Sequence, residues 1–324
     1  MPNFDATATS DEVIDAFAPQ IKGRTFVITG AGMPSIGSKM AISLAKASPA
    51  HILIASRTGK NVDPVLEEIA KIDSSVKATF VQVDLTDHDS VRRAAKEILA
   101  AAPKIDVLIN SAGVMAIKKY TVDKNGIEMQ LSANHVGHFL LTNLIAPALI
   151  AAGSQPGGAR VVNLTSLGFK ISHFRFDDWN FSGGKTYEHW TAYGQSKTAN
   201  ILFAFGLTKR LKDRGVTSTA VNPGNNGDTR LGSHLKFEEY DEIPAIMLRN
   251  TGKEVEWELP RFKTFEQIAA TSLIAALDPE IPAKSPAYLS NSQIKEADEF
   301  ATDPDNVEKL WKLSEELVKQ KFEY

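Results

Sequence analysis

Strand-like and helix-like segments take turns along this chain, and that alternation restricts its fold more than any other feature. Short runs rich in β-branched and aromatic residues fall at residues 24–29, 51–55, 77–83, 105–110, 159–164, 216–222 and 287–290. Several are apolar on both faces, as strands buried in a parallel sheet are. Helical patterns fill the gaps at 38–48, 64–72, 89–102, 128–152, 190–214 and 264–277. The alternation predicts an α/β fold: a doubly wound parallel sheet of the Rossmann type, in three layers with helices on both faces.

A short capped helix is expected over 10–17. An amphipathic helix is expected near 305–321, within a C-terminal segment of 303–324. Residues 232–262 lack clear periodicity and hold Pro244 and Pro260. A segment of this length between strand and helix is expected to be a substrate lid, with a surface insertion as the alternative. No repeat, low-complexity tract or linker divides the sequence, so residues 1–324 are expected to form one domain.

Net charge is −3 and the pI is about 6.2, which leaves no electrostatic footprint for nucleic acid. Cysteine is absent, which excludes disulfides, thiolate catalysis and Cys-ligated metal and fits a reducing compartment. Residues 1–5 are polar, without an apolar signal core. The longest greasy stretch, 139–152, is broken by Asn143 and Pro147 and is shorter than the ~20 residues of a spanning helix. A soluble, cytoplasmic protein without a membrane span is expected.

Tyr193 and Lys197 lie four residues apart in a helical stretch, and Ser166 follows an apolar strand. Positions i and i+4 share a helix face. A lysine ammonium there favours phenolate and would pull the phenol from its usual pKa of ~10 toward neutrality. Such a tyrosine can give a proton to a carbonyl oxygen or take one from an alcohol.

Cofactor signals fall after successive strands. The first runs into a turn containing Gly30, Gly32, Ser35, Ile36 and Gly37, then a helix. Glycines there allow a pyrophosphate to approach the backbone at a helix N-terminus. At the end of the second strand stand Ser56 and Arg57, with no acid before Asp63. An acid there would serve the ribose 2′-hydroxyl of NAD, whereas an arginine suits the 2′-phosphate of NADP. NADP(H) is therefore expected rather than NAD(H). Asp84, followed by Leu85, could accept from an adenine amino group or cap the next helix. Asn110, Ala112 and Gly113 end the fourth strand, where small residues let backbone lie against a cofactor.

These pieces, in this order, resemble the short-chain dehydrogenase/reductase family. The matching elements are the glycine turn, Asn110–Gly113, Asn134, Ser166, Tyr193/Lys197 and Pro223-Gly224, across residues 24–230. The stretches 134–142 and 176–202 look most like the retinol dehydrogenase and WW-domain oxidoreductase branch. The resemblance implies that Tyr193 is the general acid/base and that Lys197 tunes it and binds the nicotinamide ribose. It implies that Ser166 holds the substrate oxygen and that Asn134 anchors a proton-relay water. Pro223, Gly224 and Thr229 would meet the carboxamide. The implied partner is a small-molecule carbonyl or alcohol substrate, apolar or aromatic, handled by hydride transfer with the nicotinamide. Two departures stand out. The glycine turn is one residue longer than the family's pattern, with Pro34 or Ser35 at the middle glycine. The turn from Pro223 to Thr229 is also one residue longer. Competing readings are a non-catalytic NADP(H)-binding regulatory protein and an NAD-linked alcohol dehydrogenase; the complete Ser166/Tyr193/Lys197/Asn134 set argues against the former.

Three other features carry less. His135 and His138 form a pair, but no known metal motif surrounds them, and packing or surface roles are expected with no metal. Phe174, Phe176, Trp179, Phe181, Tyr187 and Trp190 crowd the segment between Ser166 and Tyr193, where they could wall a substrate pocket or pack a surface hairpin. Residues 199–207 are apolar almost all round. Either the sheet alone buries them or a second copy does too, which leaves a homodimer open.

Overall fold

A computed structural model describes residues 3–155 and 157–324. Eight strands form one sheet: β1 Thr25–Thr29, β2 His51–Ser56, β3 Lys77–Gln82, β4 Val107–Asn110, β5 Ala159–Leu164, β6 Val216–Asn222, β7 Ala287–Ser290 and β8 Gln293–Lys295. Their order is β3-β2-β1-β4-β5-β6-β7-β8, parallel except for β8. In β1, Ile28 lies between Ile54 of β2 and Ile109 of β4. Successive side chains in a strand face opposite sides. Val27, Leu53 and Leu108 accordingly join one core, with the helices His88–Ala101, Gly137–Leu144 and His189–Leu211. Phe26, Ile28, Ile52 and Ile109 join the other, under Ser10–Phe17, Ile36–Ala45 and Phe265–Leu277. Sheet order reverses between β1 and β4, and the crevice outside their C-terminal ends is where such folds bind ligands.

The seven expected strands are present, and β8 is an addition. It is three residues long and turns back through Asn291 and Ser292, both at positive φ. A short edge strand carrying Lys295 offers little template for pairing with another chain. The expected helix 128–152 is broken into pieces. Met129–Leu144 contains a π-turn at Ser132–Val136, and Ala146–Gly153 departs from it at 59°. Pro147, in the first turn of the second piece, cannot continue the preceding hydrogen-bond ladder. No single helix among the described residues is long and apolar enough to cross a membrane.

Residues 232–262 are more ordered than their sequence suggested. They contain a 3₁₀ turn, Phe237–Glu242, and a helix, Ile243–Thr251. Pro244 occupies the first helical turn, where a missing N–H costs nothing. At the other end, the helix Pro304–Val318 stops earlier than 321, with Lys319 in the left-handed region. This helix covers the apolar stretch 199–207. Trp311 packs on Phe139 and Phe203, at centroid distances of 5.0 and 6.0 Å. The Arg210 guanidinium lies 3.9 Å from the Trp311 ring centroid and grips Glu308 through two bonds of 3.2 and 2.8 Å. Phe322 continues the cover on Phe139, and the Tyr324 hydroxyl donates to Asn143. No second copy is required to bury that face.

Candidate active site

The helix His189–Leu211 starts where the Glu188 carboxylate accepts from the amides of Trp190 and Thr191, at 2.9 and 2.8 Å. Its first turns carry Tyr193 and Lys197 on one face. The end of β5 is tied to it by Thr165, whose hydroxyl donates to the Lys197 carbonyl at 2.7 Å. Ser166 follows directly, and its Oγ accepts from Gly168 N at 3.0 Å to open a 3₁₀ turn. Ser166, Tyr193 and Lys197 thus reach one cavity of about 370 Å³.

Both titratable members are buried, and burial dominates their chemistry. It pushes the Tyr193 phenol up to about 12, against a hydrogen bond from Ser166 that works in the opposite direction. It pulls Lys197 down to about 8. Lys197 Nζ donates to the Leu164 carbonyl at 3.3 Å and lies 5.6 Å from the phenol ring centroid. In this arrangement phenol and amine are both held toward their neutral forms.

Asn134 sits in the π-turn, a widening that often marks functional sites. Its amide pairs with Val114 as a strand would: Oδ1 accepts from Val114 N at 2.8 Å and Nδ2 donates to Val114 O at 3.0 Å. Nδ2 also donates to Ser196 Oγ, at 2.8 Å. Gly113, next along, is pressed between them; a Cβ there would lie 3.1 Å from Asn134 Oδ1 and 3.6 Å from Lys197 Nζ.

The cofactor candidates line the crevice between β1 and β4. Gly30 has φ +69°, and a Cβ on it would lie 2.6 Å from Ala112 Cα. Only glycine meets both demands. Ser35 caps the helix Ile36–Ala45: its Oγ accepts from Ser38 N and donates to the Gly30 carbonyl, both at 3.0 Å. That hydroxyl proton is spent inside the turn and is not free to donate to a phosphate. Gly32 and Gly37 pack against Asn61 and Ala31. Ser56 is half-buried and Arg57 is exposed. Arg57 has no carboxylate partner among the described residues. Asp84 Oδ1 accepts from the amide and hydroxyl of Thr86, at 2.9 and 2.7 Å. The following helix is capped instead by Asp87. Leu85 packs its backbone against Gly137. Asn110 Nδ2 donates to Thr142 Oγ1 and Asn163 Oδ1, at 3.0 and 2.9 Å, while its buried Oδ1 has no partner among the described residues. Pro223, Gly224 and Thr229 line the cavity, as do Ile36 and Gly113.

The far wall comes from residues 232–262, the segment expected to form a lid; the side chains that line it, Phe237, Tyr240, Met247 and Trp257 among others, follow no pattern in the sequence. Glu258 fastens this segment to the sheet, accepting from Asn222 Nδ2 at 3.0 Å and Ser290 Oγ at 2.5 Å. Of the crowded aromatics before Tyr193, only Trp190 reaches the cavity. Phe174, Phe176 and Trp179 pack on the core, and the Tyr187 hydroxyl donates to the Ile117 carbonyl. His135 and His138 are buried and engaged, the former with Ser314 at 2.7 Å.

Residues 24–236 match the family model described as short chain dehydrogenase. The chain is a short-chain dehydrogenase/reductase. This reductase/dehydrogenase is 35% identical over 243 residues to oxidoreductase fscI of Fusarium equiseti, covering 68% of this chain and 94% of that one. It is 35% identical over 301 residues to retinol dehydrogenase 12 of Mus musculus, covering 92% and 87%. It therefore resembles the retinol dehydrogenase branch. A short-chain dehydrogenase/reductase structure from Mycobacterium marinum shares the fold, with a TM-score of 0.61, 22% identity and coverage of 83% and 93%. The enzyme acts on a CH–OH/C=O couple with a nicotinamide cofactor, and its substrates are small molecules.

Proposed function

We propose that the enzyme is an NADP(H)-dependent reductase of apolar or aromatic ketones and aldehydes, with Tyr193 as the general acid/base. The observation that carries this reading is the meeting of Ser166, Tyr193 and Lys197 in one cavity whose other walls are the cofactor crevice and an apolar segment. The crevice suits a dinucleotide. Gly30 leaves room where any side chain would strike Ala112, and a helix N-terminus faces the turn at Ile36. Arg57, exposed and unpaired with any carboxylate among the described residues, is the residue for a 2′-phosphate. Gly32, Ser35, Gly37, Ser56, Asp84, Leu85, Asn110, Ala112 and Gly113 complete that crevice. Pro223, Gly224 and Thr229 frame its nicotinamide end.

When bound, the nicotinamide supplies the hydride. The chain does the rest. Ser166 fixes the substrate oxygen beside the phenol, and Tyr193 gives that oxygen its proton. Burial keeps the phenol protonated, so it carries the proton that reduction of a carbonyl requires. Lys197 stands beside it to offset the charge that develops when the proton leaves. Asn134 holds the loop through Gly113 and Val114 against Lys197 and provides the relay toward solvent.

Residues 232–262 serve as the substrate lid within a single domain spanning 1–324. Met115, Ile171, Trp190 and Ile243 make the chamber apolar. Phe237, Trp257 and Phe262 line it while remaining 64%, 39% and 56% exposed at its mouth. Exposed aromatics at an entrance are a place for a substrate's apolar body to dock. The test is consumption of NADPH against NADH with a panel of ketones, aldehydes and quinones. NADPH-dependent turnover of apolar members is expected. Preference for NADH, or turnover confined to small polar carbonyls, would overturn the reading.

A further inference from the structure

Thr29 and His138 form a buried pair to which the proposed mechanism gives no role, at 0% and 2% exposure. Thr29 ends β1, immediately before the glycine turn. Its Oγ1 accepts from the amides of Ser111 and Ala112, at 2.9 and 3.0 Å. A hydroxyl has two acceptor sites and one proton. With both sites filled, the proton is left for His138 Nε2, at 2.8 Å. His138 Nε2 is then the acceptor, so the neutral ring carries its hydrogen on Nδ1. That hydrogen goes to the Asn134 carbonyl, at 3.0 Å. Burial keeps the imidazole neutral, at about 4. Every polar atom of the pair is used, and only one tautomer satisfies the set.

The bonds close a ring. Thr29 holds the loop after β4 at Ser111 and Ala112, and Asn134 holds it at Val114 through both amide and carbonyl. His138 joins the two holders. Gly113, between the held points, is the residue pressed toward Lys197. We propose that His138 is a positioning residue: a single-tautomer strut that fixes the end of β1 relative to the π-turn and so sets where loop 110–114 stands against Lys197 and the cofactor crevice. The functional part rests on the proposed roles of Lys197 and that crevice.

The test separates the strut from that reading by measuring the loop itself. Hydrogen–deuterium exchange of the full chain without cofactor would be read at Ser111, Ala112 and Val114 in Thr29→Val, Thr29→Ser and His138→Leu. Thr29→Val removes the acceptor for Ser111 and Ala112 directly. Among the described residues the Val114 amide bonds only to Asn134, so its protection reports the ring. Faster exchange at Val114 by roughly tenfold is expected in both Thr29→Val and His138→Leu, the scale of one buried hydrogen bond. Thr29→Ser should restore it. NADPH Kd, read by fluorescence, should rise in the same two variants, and Thr29→Val/His138→Leu should be no worse than the weaker single variant. Unchanged protection at Val114, or effects that multiply in the double variant, would overturn the strut. Where His138→Leu does not fold, His138→Asn retains a donor for the Asn134 carbonyl, loses the Thr29 acceptor, and must show the same Val114 effect.

Discussion

Replacing Gly137 with alanine gives a prediction whose sign turns on one contact. A Cβ at this position would lie 2.2 Å from the Leu85 carbonyl oxygen, 2.7 Å from Leu85 Cβ and 2.9 Å from its carbonyl carbon. Bringing the shortest of these to an ordinary contact of 3.4 Å requires an opening of about 1.2 Å. The obstacle is backbone, pinned by the Asp84–Thr86 turn on one side and by a core helix on the other. Helix propensity alone favours the change, since alanine in a helix is worth about 1 kcal/mol over glycine. Overpacking of a tight core costs about 1–3 kcal/mol, and a backbone shift of this size belongs at the upper end. The net expectation is a loss of about 2 kcal/mol, with weaker cofactor binding because Asp84 and Leu85 must move. Equilibrium urea unfolding measures it. Gly227→Ala is the control: nothing lies within 4 Å of its Cβ and its φ is unstrained, so it should stay within about 0.5 kcal/mol of the parent. A Gly137→Ala protein as stable as the parent, or more so, would refute the steric argument.

Four further outcomes are expected. Tyr193→Phe keeps the packing against Trp190 and should cut turnover by at least ~10²-fold while cofactor still binds; near-normal turnover would remove Tyr193 from the mechanism. Arg57→Asp should move preference from NADPH toward NADH in paired kcat/KM measurements, and an unchanged ratio would assign the 2′-phosphate to other residues. Trp311→Ala should cost about 3–5 kcal/mol, because the indole is 4% exposed and bridges Phe139, Phe203 and Arg210; a thermal melt indistinguishable from the parent would contradict this. Glu128 is fully buried, and desolvation raises it to about 7 although its carboxylate caps the amides of Gln130 and Leu131. A raised carboxyl pKa means that the folded state holds the proton more tightly, so this group's contribution to stability falls as pH climbs from about 4.5 to about 7. Glu128→Gln should remove that slope, on the order of 3 kcal/mol, and identical pH–stability profiles would disprove it.

The sheet was readable in advance because parallel strands must be greasy on both faces, and runs such as Phe26–Ile28 admit no other burial. Tyr193 and Lys197 were readable for a different reason: helical spacing alone puts them side by side. What escaped depends on relations that no local pattern records. The π-turn at Asn134 adds one residue to a helix whose apolar periodicity hardly changes. Phe237 and Trp257 join the cavity only because distant elements close over it, and Trp190 reaches it while Trp179 does not. The upward shift of Tyr193 follows from its burial, a tertiary quantity that spacing does not record. Thr29 was visible as the residue before the glycines, but its partner His138 is 109 positions away.

The cover over residues 199–207 has a consequence for biosynthesis. The helix Pro304–Val318 and Phe322 leave the ribosome more than a hundred residues after Phe139 and about a hundred after Phe203, yet they shield both side chains. Arg92 also waits for them, donating to Val318 O at 3.2 Å and to Gln320. The greasy face of an otherwise assembled sheet and its helices therefore stays open until residues 304–324 have emerged. During that interval the nascent protein is a natural client for chaperones that recognise exposed apolar surface. A chain arrested at Thr302 should be retained by such a chaperone and one that extends through Tyr324 released; equal retention of both would show that the face closes without its cover.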